Sequence, residues 1–169
     1  MITIAPANTT EDFDAVRGLI RAFVAWHGRT HPNYRHLIDR YFNTPEFEAE
    51  LTGLAGHYAA PRGALLLARA DGVPAGCVAF HAFGDAGECE MKRMFVPETM
   101  RGLGVGRALG DGIVAAARSG GYRRMLLETS RDQRDAIRLY EKLGFSEIPP
   151  YYEPSPDMAS WLVYFARDL

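Results

Sequence analysis

Apolar residues follow different periods along the chain, and each period predicts an element. Ile2 and Ile4 alternate with Thr3 and Ala5, the period of a short opening strand. Phe13, Val16, Leu19, Ile20, Phe23 and Val24 recur at intervals of three and four, so a helix with one inward face runs to about Gly28. Thr9 or Thr10 ahead of Glu11 and Asp12 supplies its start. Residues 28–61 are the least regular part. His31-Pro32 and Thr44-Pro45 interrupt them, and helical spacing recurs around residues 37–42 and 47–54. Trp26, Tyr34, Tyr41 and the histidines here fit a mobile helical lid over a pocket, or simply core aromatics.

From Gly63 the pattern turns to strands. Residues 64–70 and 73–83 meet at Asp71-Gly72, a pair that favours a two-residue hairpin turn, and a turn at Asp85-Ala86-Gly87 leads into residues 88–96. With the opening strand, these predict a four-segment antiparallel meander of central rather than edge strands. Leu109, Ile113, Val114 and Ala117 then give a helix its buried stripe, ended by Gly120-Gly121. Residues 122–129 return as a strand beside 88–96 through a β-α-β crossover. Asp132 is placed to cap a helix in which Ala136, Leu139, Tyr140 and Leu143 share a face, with Gly144 just past its end. Residues 145–148 and 161–165 are the last strands. The connection between them, PPYYEPSPDMAS, is long for a compact domain, and such loops are more often functional than idle.

The chain's chemistry concentrates in residues 94–106, MFVPETMRGLGVG, a strand, a tight loop and a helix start. Gly102, Gly104 and Gly106 stand at alternate positions. Gly104 and Gly106 let the backbone take unusual dihedrals and let a bulky ligand approach it closely. The first helical N–H groups and the helix dipole make a site for an anion, most often a phosphate, which Arg101 and Arg107 bracket. A tight turn with no ligand is the plainer reading. No G-x-x-x-x-G-K-[ST] run is present, so this is not a P-loop. Glu128 lies near the spacing of a dinucleotide fingerprint, but the loop follows several strands rather than the first one.

Composition narrows the class. The 169 residues, 47% hydrophobic and 24% charged, fit one folded domain, 1–169. A formal charge of −2 with scattered Lys and Arg argues against nucleic acid. Cys77 and Cys89 lack C-x-x-C spacing and suit buried, reduced thiols. Neither a signal peptide nor a membrane-length apolar run is seen, so a soluble cytoplasmic protein is expected. His27 and His31 have the spacing of two metal ligands on one helix, but Gly28 and Pro32 interrupt the turn and no H-E-x-x-H accompanies them. No metal is expected.

Two motifs together resemble a known family. Arg101, Gly104 and Gly106 match the R/Q-x-x-G-x-G/A pattern of the GNAT N-acetyltransferases, and EMKRMFVPE is similar to that family's fourth strand. AIRLYEKLGF, at residues 136–145, resembles its second motif, a Tyr-bearing helix followed by Gly-Phe. The resemblance spans residues 73–169, with the first 60 matching only in layout. It implies an α/β fold with a mixed, mostly antiparallel twisted sheet of about seven strands and helices on both faces. It also implies acetyl-CoA as co-substrate and direct attack by a primary amine. On this reading Gly102, Leu103, Gly104, Val105 and Gly106, with Arg101 and Arg107, hold the diphosphate. Main-chain groups of Met94, Phe95 and Val96 pair with pantetheine where a family bulge splays the strand. Gln133, standing where many members carry Asn, lies on the opposite side with Ala136 and Tyr140. Ala136 leaves room for the thiol end, and Tyr140 is the implied proton donor to the departing thiolate.

The charges on the same strand need a reason. Glu88, Glu90 and Lys92 share a face of a strand expected to be covered on both sides. An amine acceptor arrives mostly protonated, and a nearby carboxylate can attract it and take its proton directly or through water. Glu90 is the first choice for that role and Glu88 the second; salt bridges to Lys92, Arg93 or Arg123 are the structural alternative. A pocket bounded by residues 26–34, 88–90 and 151–152 suggests a small cationic acceptor, with a protein or peptide amine the other option. A non-catalytic acyl-CoA sensor and a nucleotide-dependent oxidoreductase are the competing functions. A homodimer through the C-terminal strands is the guess for assembly, with neither a nucleic-acid nor a membrane partner.

Overall fold

The computed structural model describes residues 1–84 and 87–169, so the expected turn at Asp85-Ala86-Gly87 lies partly outside the described residues. Seven strands form one sheet in the order β1-β2-β3-β4-β5-β7-β6. They are β1 (Ile2–Pro6), β2 (Gly63–Ala70), β3 (Val73–Ala82), β4 (Glu88–Phe95), β5 (Arg124–Ser130), β6 (Ser146–Ile148) and β7 (Leu162–Asp168). Every pair is antiparallel except β4 and β5. The hairpin between β2 and β3 has the two-residue turn its sequence called for: Asp71 and Gly72 both take positive φ, 49° and 85°. β1 is an edge strand rather than a central one, bonded only along β2.

Alternation along the strands divides the core in two. Leu65, Leu67, Cys77 and Ala79 face one way, towards α1 (Thr10–Thr30), α2 (Arg35–Phe42), α3 (Pro45–Thr52) and the single turn α4 (Leu54–His57). Leu66, Ala68, Val78 and Phe80 face the other way, towards α5 (Val105–Ser119) and α6 (Arg134–Lys142). A last turn, α7 (Pro156–Ala159), lies in the loop before β7. Thr9 starts α1 through a capping box with Asp12. The irregular 28–61 segment packs as part of the core: Leu37, Ile38, Phe42, Phe47, Leu51 and Leu54 are buried. Each such side chain contributes about 1.5–3 kcal/mol of apolar transfer.

Two local expectations are corrected. Gly106 is helical, because α5 already begins at Val105; the positive φ values belong to Gly102 (76°) and to Gly104 (84°), which caps the helix. A Cβ on Gly106 would lie 3.1 Å from the Leu139 side chain, so its smallness serves packing against α6. Asp132 does not cap α6. Gln133 is the cap residue, without a side-chain bond, because the Asp132 carboxylate accepts a hydrogen bond from Trp161 Nε1 at 2.7 Å and faces the end of α1 instead. Gly144, with φ 84°, follows α6 as expected.

Candidate active site

β4 and β5 run together at Glu88–Arg124, Cys89–Met125 and Glu90–Leu126, and then diverge. The cause is in β4. Between Ala79–Lys92 and Cys77–Phe95 it carries an extra residue relative to β3, and Arg93 sits in the left-handed region at φ 58°. A non-glycine residue there is strained and persists only where its surroundings hold it. Here the guanidinium makes a two-pronged pair with Glu50 of α3, Nε to Oε1 at 2.7 Å and Nη2 to Oε2 at 2.6 Å. Both side chains are about one-tenth exposed. Met94, Leu127, Thr129 and Tyr140 are among the residues lining the resulting cleft, and Gln133 closes one end.

The glycine loop follows β4 and opens α5, where Gly106 packs against Leu139 of α6. Among the described residues, no main-chain acceptor is engaged by the amides of Gly102 through Arg107, and the first turn bond of α5 is the one from Ala108 to Gly104. The two flanking arginines are turned elsewhere. Arg101 donates to the Val96 carbonyl at 3.1 Å and lies 4.5 Å over the Trp26 ring; Arg107 is spread between Asp111 and the Lys142 carbonyl. Gln133 donates to Ser130 Oγ at 3.3 Å, and Ala136 is partly buried beside Tyr140. Burial alone pushes the Tyr140 hydroxyl upward in pKa, with neither a charge nor a hydrogen bond contributing, so it keeps its proton.

The acidic residues separate into two positions. Glu88 lies at the outer start of β4, 3.6 Å from Arg124 rather than Arg123. Glu90 is 4% exposed and fully engaged: His81 Nε2 is 3.1 Å from Oε2, Lys92 Nζ is 3.1 Å from Oε1, and the Tyr151 hydroxyl donates to Oε1 at 2.7 Å. Burial opposes its ionisation, but the His81 hydrogen bond, the Lys92 charge and the Tyr151 hydrogen bond outweigh it and hold its pKa down at about 2. The salt bridge to Lys92 considered from sequence is therefore present.

Glu128, on β5, is a partner that sequence reasoning missed. Lys92 reaches it at 3.3 Å, and the hydroxyls of Tyr41 and Tyr152 both donate to it. Burial and Arg93 pull the Lys92 pKa down; Tyr41, Glu90 and Glu128 around it outweigh them and push it above the ordinary lysine value. Burial and Glu128 push the Tyr41 hydroxyl up to about 12. Tyr151 and Tyr152 bring the long connection onto the two carboxylates, as its length suggested. Of the 26–34 stretch, Trp26 packs on Phe95 and Tyr34 stacks on Trp161, leaving Tyr41 as the α2 tyrosine at the acidic end. Cys77 and Cys89 are buried free thiols, each pushed up to about 12 by burial.

This arrangement has clear relatives. The model of the GNAT acetyltransferase family matches residues 20–145. An uncharacterized N-acetyltransferase of Schizosaccharomyces pombe is 33% identical over 159 residues, 93% of this chain and 91% of that protein. An IAA acetyltransferase of Azospirillum brasilense is 41% identical over 95 residues, 56% of this chain and 62% of its own. In fold, a GNAT-family acetyltransferase structure from Staphylococcus aureus superposes with a TM-score of 0.72 at 17% identity, covering 99% of each chain. Among the described residues no helix is long and apolar enough to cross a membrane. The chain thus belongs to the GNAT family of acetyltransferases and is an N-acetyltransferase, a family that implies an acyl-CoA as acyl donor.

Proposed function

We propose that this enzyme moves the acetyl group of acetyl-CoA to the primary amine of a small cationic acceptor by direct attack. One observation carries the reading: β4 and β5 part beside a cleft lined by Met94, Lys92, Glu128 and Tyr140, with Glu90 paired to the same Lys92, and the loop that follows β4 has main-chain amides with no main-chain acceptor. The diphosphate lies over the amides of residues 102–107, where dipole and donors favour an anion. Arg101 and Arg107, both exposed, swing onto it from their present partners. Pantetheine runs along Met94, Phe95 and Val96, taking hydrogen bonds that β5 does not supply, and the thioester lies between Tyr140 and Lys92.

Glu90 and Glu128 outnumber Lys92, so the acceptor end carries an excess negative charge that draws in a cation. A pKa of about 2 makes Glu90 a weak base at neutral pH. Its carboxylate orients the amine, whose proton leaves through water. The neutral amine attacks the carbonyl, the C–N bond forms and the C–S bond breaks. The thiolate takes the Tyr140 proton, and the second proton, shed by the attacking nitrogen, passes through water and restores the tyrosine hydroxyl. Holding both substrates in one cleft makes a covalent enzyme intermediate unnecessary. Glu88 orients Arg124 and takes no proton.

The test is release of coenzyme A thiol from acetyl-CoA against a panel of mono- and dibasic amines, amino acids and short peptides. Turnover is expected with small cationic amines, and Glu128→Gln should raise KM for those acceptors about tenfold while sparing KM for acetyl-CoA. Thiol release with no amine, despite tight acetyl-CoA binding, would overturn the acceptor assignment and favour a binding module.

A further inference from the structure

A cluster of metal-binding chemistry remains that the transfer reaction does not use. α1 continues unbroken through Gly28 to Thr30, so His31, the residue that caps its end, stands one turn after His27 and bonds back to its carbonyl, and Asp132 closes on both from the β5–α6 connection. His27 Nε2 lies 3.3 Å and His31 Nδ1 3.2 Å from the same Asp132 oxygen, Oδ2. All three donor atoms lie within 4.8 Å of one another.

These distances are long for charge-assisted N–H···O bonds, which run at about 2.7–2.9 Å. His31 Nδ1, buried, makes no hydrogen bond despite its approach to Oδ2, so the contact has the distance of a bond without its direction. With metal–ligand lengths of about 2.1 Å and a tetrahedral angle, neighbouring donors of a zinc ion sit about 3.4 Å apart. The two His–Asp132 edges, 3.3 and 3.2 Å, fit that figure. The carboxylate is oriented from behind, because its other oxygen accepts from Trp161 Nε1 at 2.7 Å, as the outer partner of a ligating carboxylate does.

We infer that His27, His31 and Asp132 form a site for a first-row divalent transition metal, zinc by preference. Two imidazoles and one carboxylate suit zinc, cobalt or copper and do not suit magnesium or calcium, which take oxygen ligands. Three protein ligands leave one position open, the pattern of exchangeable rather than closed sites. His31 and Asp132 are 16% and 12% exposed, so an ion can enter from solvent. His27 and Trp161 also line the acyl-donor cleft, so the ion fastens the end of α1 to the β5–α6 connection at its rim. This site is independent of the acceptor proposed above.

Protein stripped with a chelator is titrated with zinc against a chromophoric competitor, and then with cobalt for its visible absorption. One equivalent should bind, cobalt should give tetrahedral bands, the thermal midpoint should rise, and magnesium should compete in none of these. His31→Ala and Asp132→Asn should each weaken zinc roughly a hundredfold or more. His57→Ala, at the other histidine pair, should leave binding unchanged. Absence of saturable one-to-one binding to the wild-type protein overturns the inference without recourse to any variant. So does binding that survives both substitutions or is lost with His57, which marks an adventitious ion only.

Discussion

Individual side chains in this protein are legible where they break a pattern. Glu90 stood out because a carboxylate in an apolar strand requires a partner, and the structure supplies three. Glu128 carries the same signal in the run LLET, yet its role is hidden there, because a strand's partners across the sheet are not written in its own sequence. Tyr140 is legible by motif, and burial keeps it protonated. Replacing it by Phe removes the donor but little volume. Tyr140→Phe should lower kcat by roughly a hundredfold with acetyl-CoA affinity nearly unchanged, measured by stopped-flow thiol release and by calorimetry. An unchanged rate of the chemical step would remove Tyr140 from the reaction.

Among elements, those with strong periodicity came out within a few residues of their expected bounds, α1, α5 and the β2–β3 hairpin most clearly. The bulge in β4 is expected only through the family resemblance of its residues, and the partner of its left-handed Arg93, Glu50, lies 43 positions away and is not written in the strand. That pair supports a prediction. Glu50→Ala leaves the Arg93 charge buried and unpaired, so it should destabilise the fold by about 3 kcal/mol and raise KM for acetyl-CoA, measured by denaturant titration and initial rates. The glycine loop supports another. Gly104→Ala forces a side chain into φ 84° and should cost about 1–2 kcal/mol and weaken acetyl-CoA binding. Gly106→Ala, in a helical position where the new methyl meets the flexible end of Leu139 at 3.1 Å and Val96 at 3.8 Å, should cost less in both measurements. Equal losses at the two positions would contradict the loop's assigned conformation.

For the molecule as a whole, stability in acid follows from its buried carboxylates. Glu90 has a folded pKa of about 2 against an ordinary 4.5, and Glu50 is also held low, with burial opposed by its Arg93 bonds. The folded state therefore binds fewer protons than the unfolded one between those values. This contribution is fully present above pH 4.5 and is lost as pH falls towards 2, by up to about 3 kcal/mol for Glu90. Stability measured by urea titration from pH 6 to 2.5 should fall steeply in wild type and less steeply in Glu90→Gln. Parallel curves would show that Glu90 is not ionised in the fold.

The short shared run of β4 and β5 has one more consequence. Three rungs join β1 through β4 to the remaining three strands, and among the described residues the β4–β5 ladder goes no further. Under the function proposed above, the donor's amide-bearing arm pairs with β4 beyond the last rung and stands in for the missing partner, so the substrate itself completes the sheet.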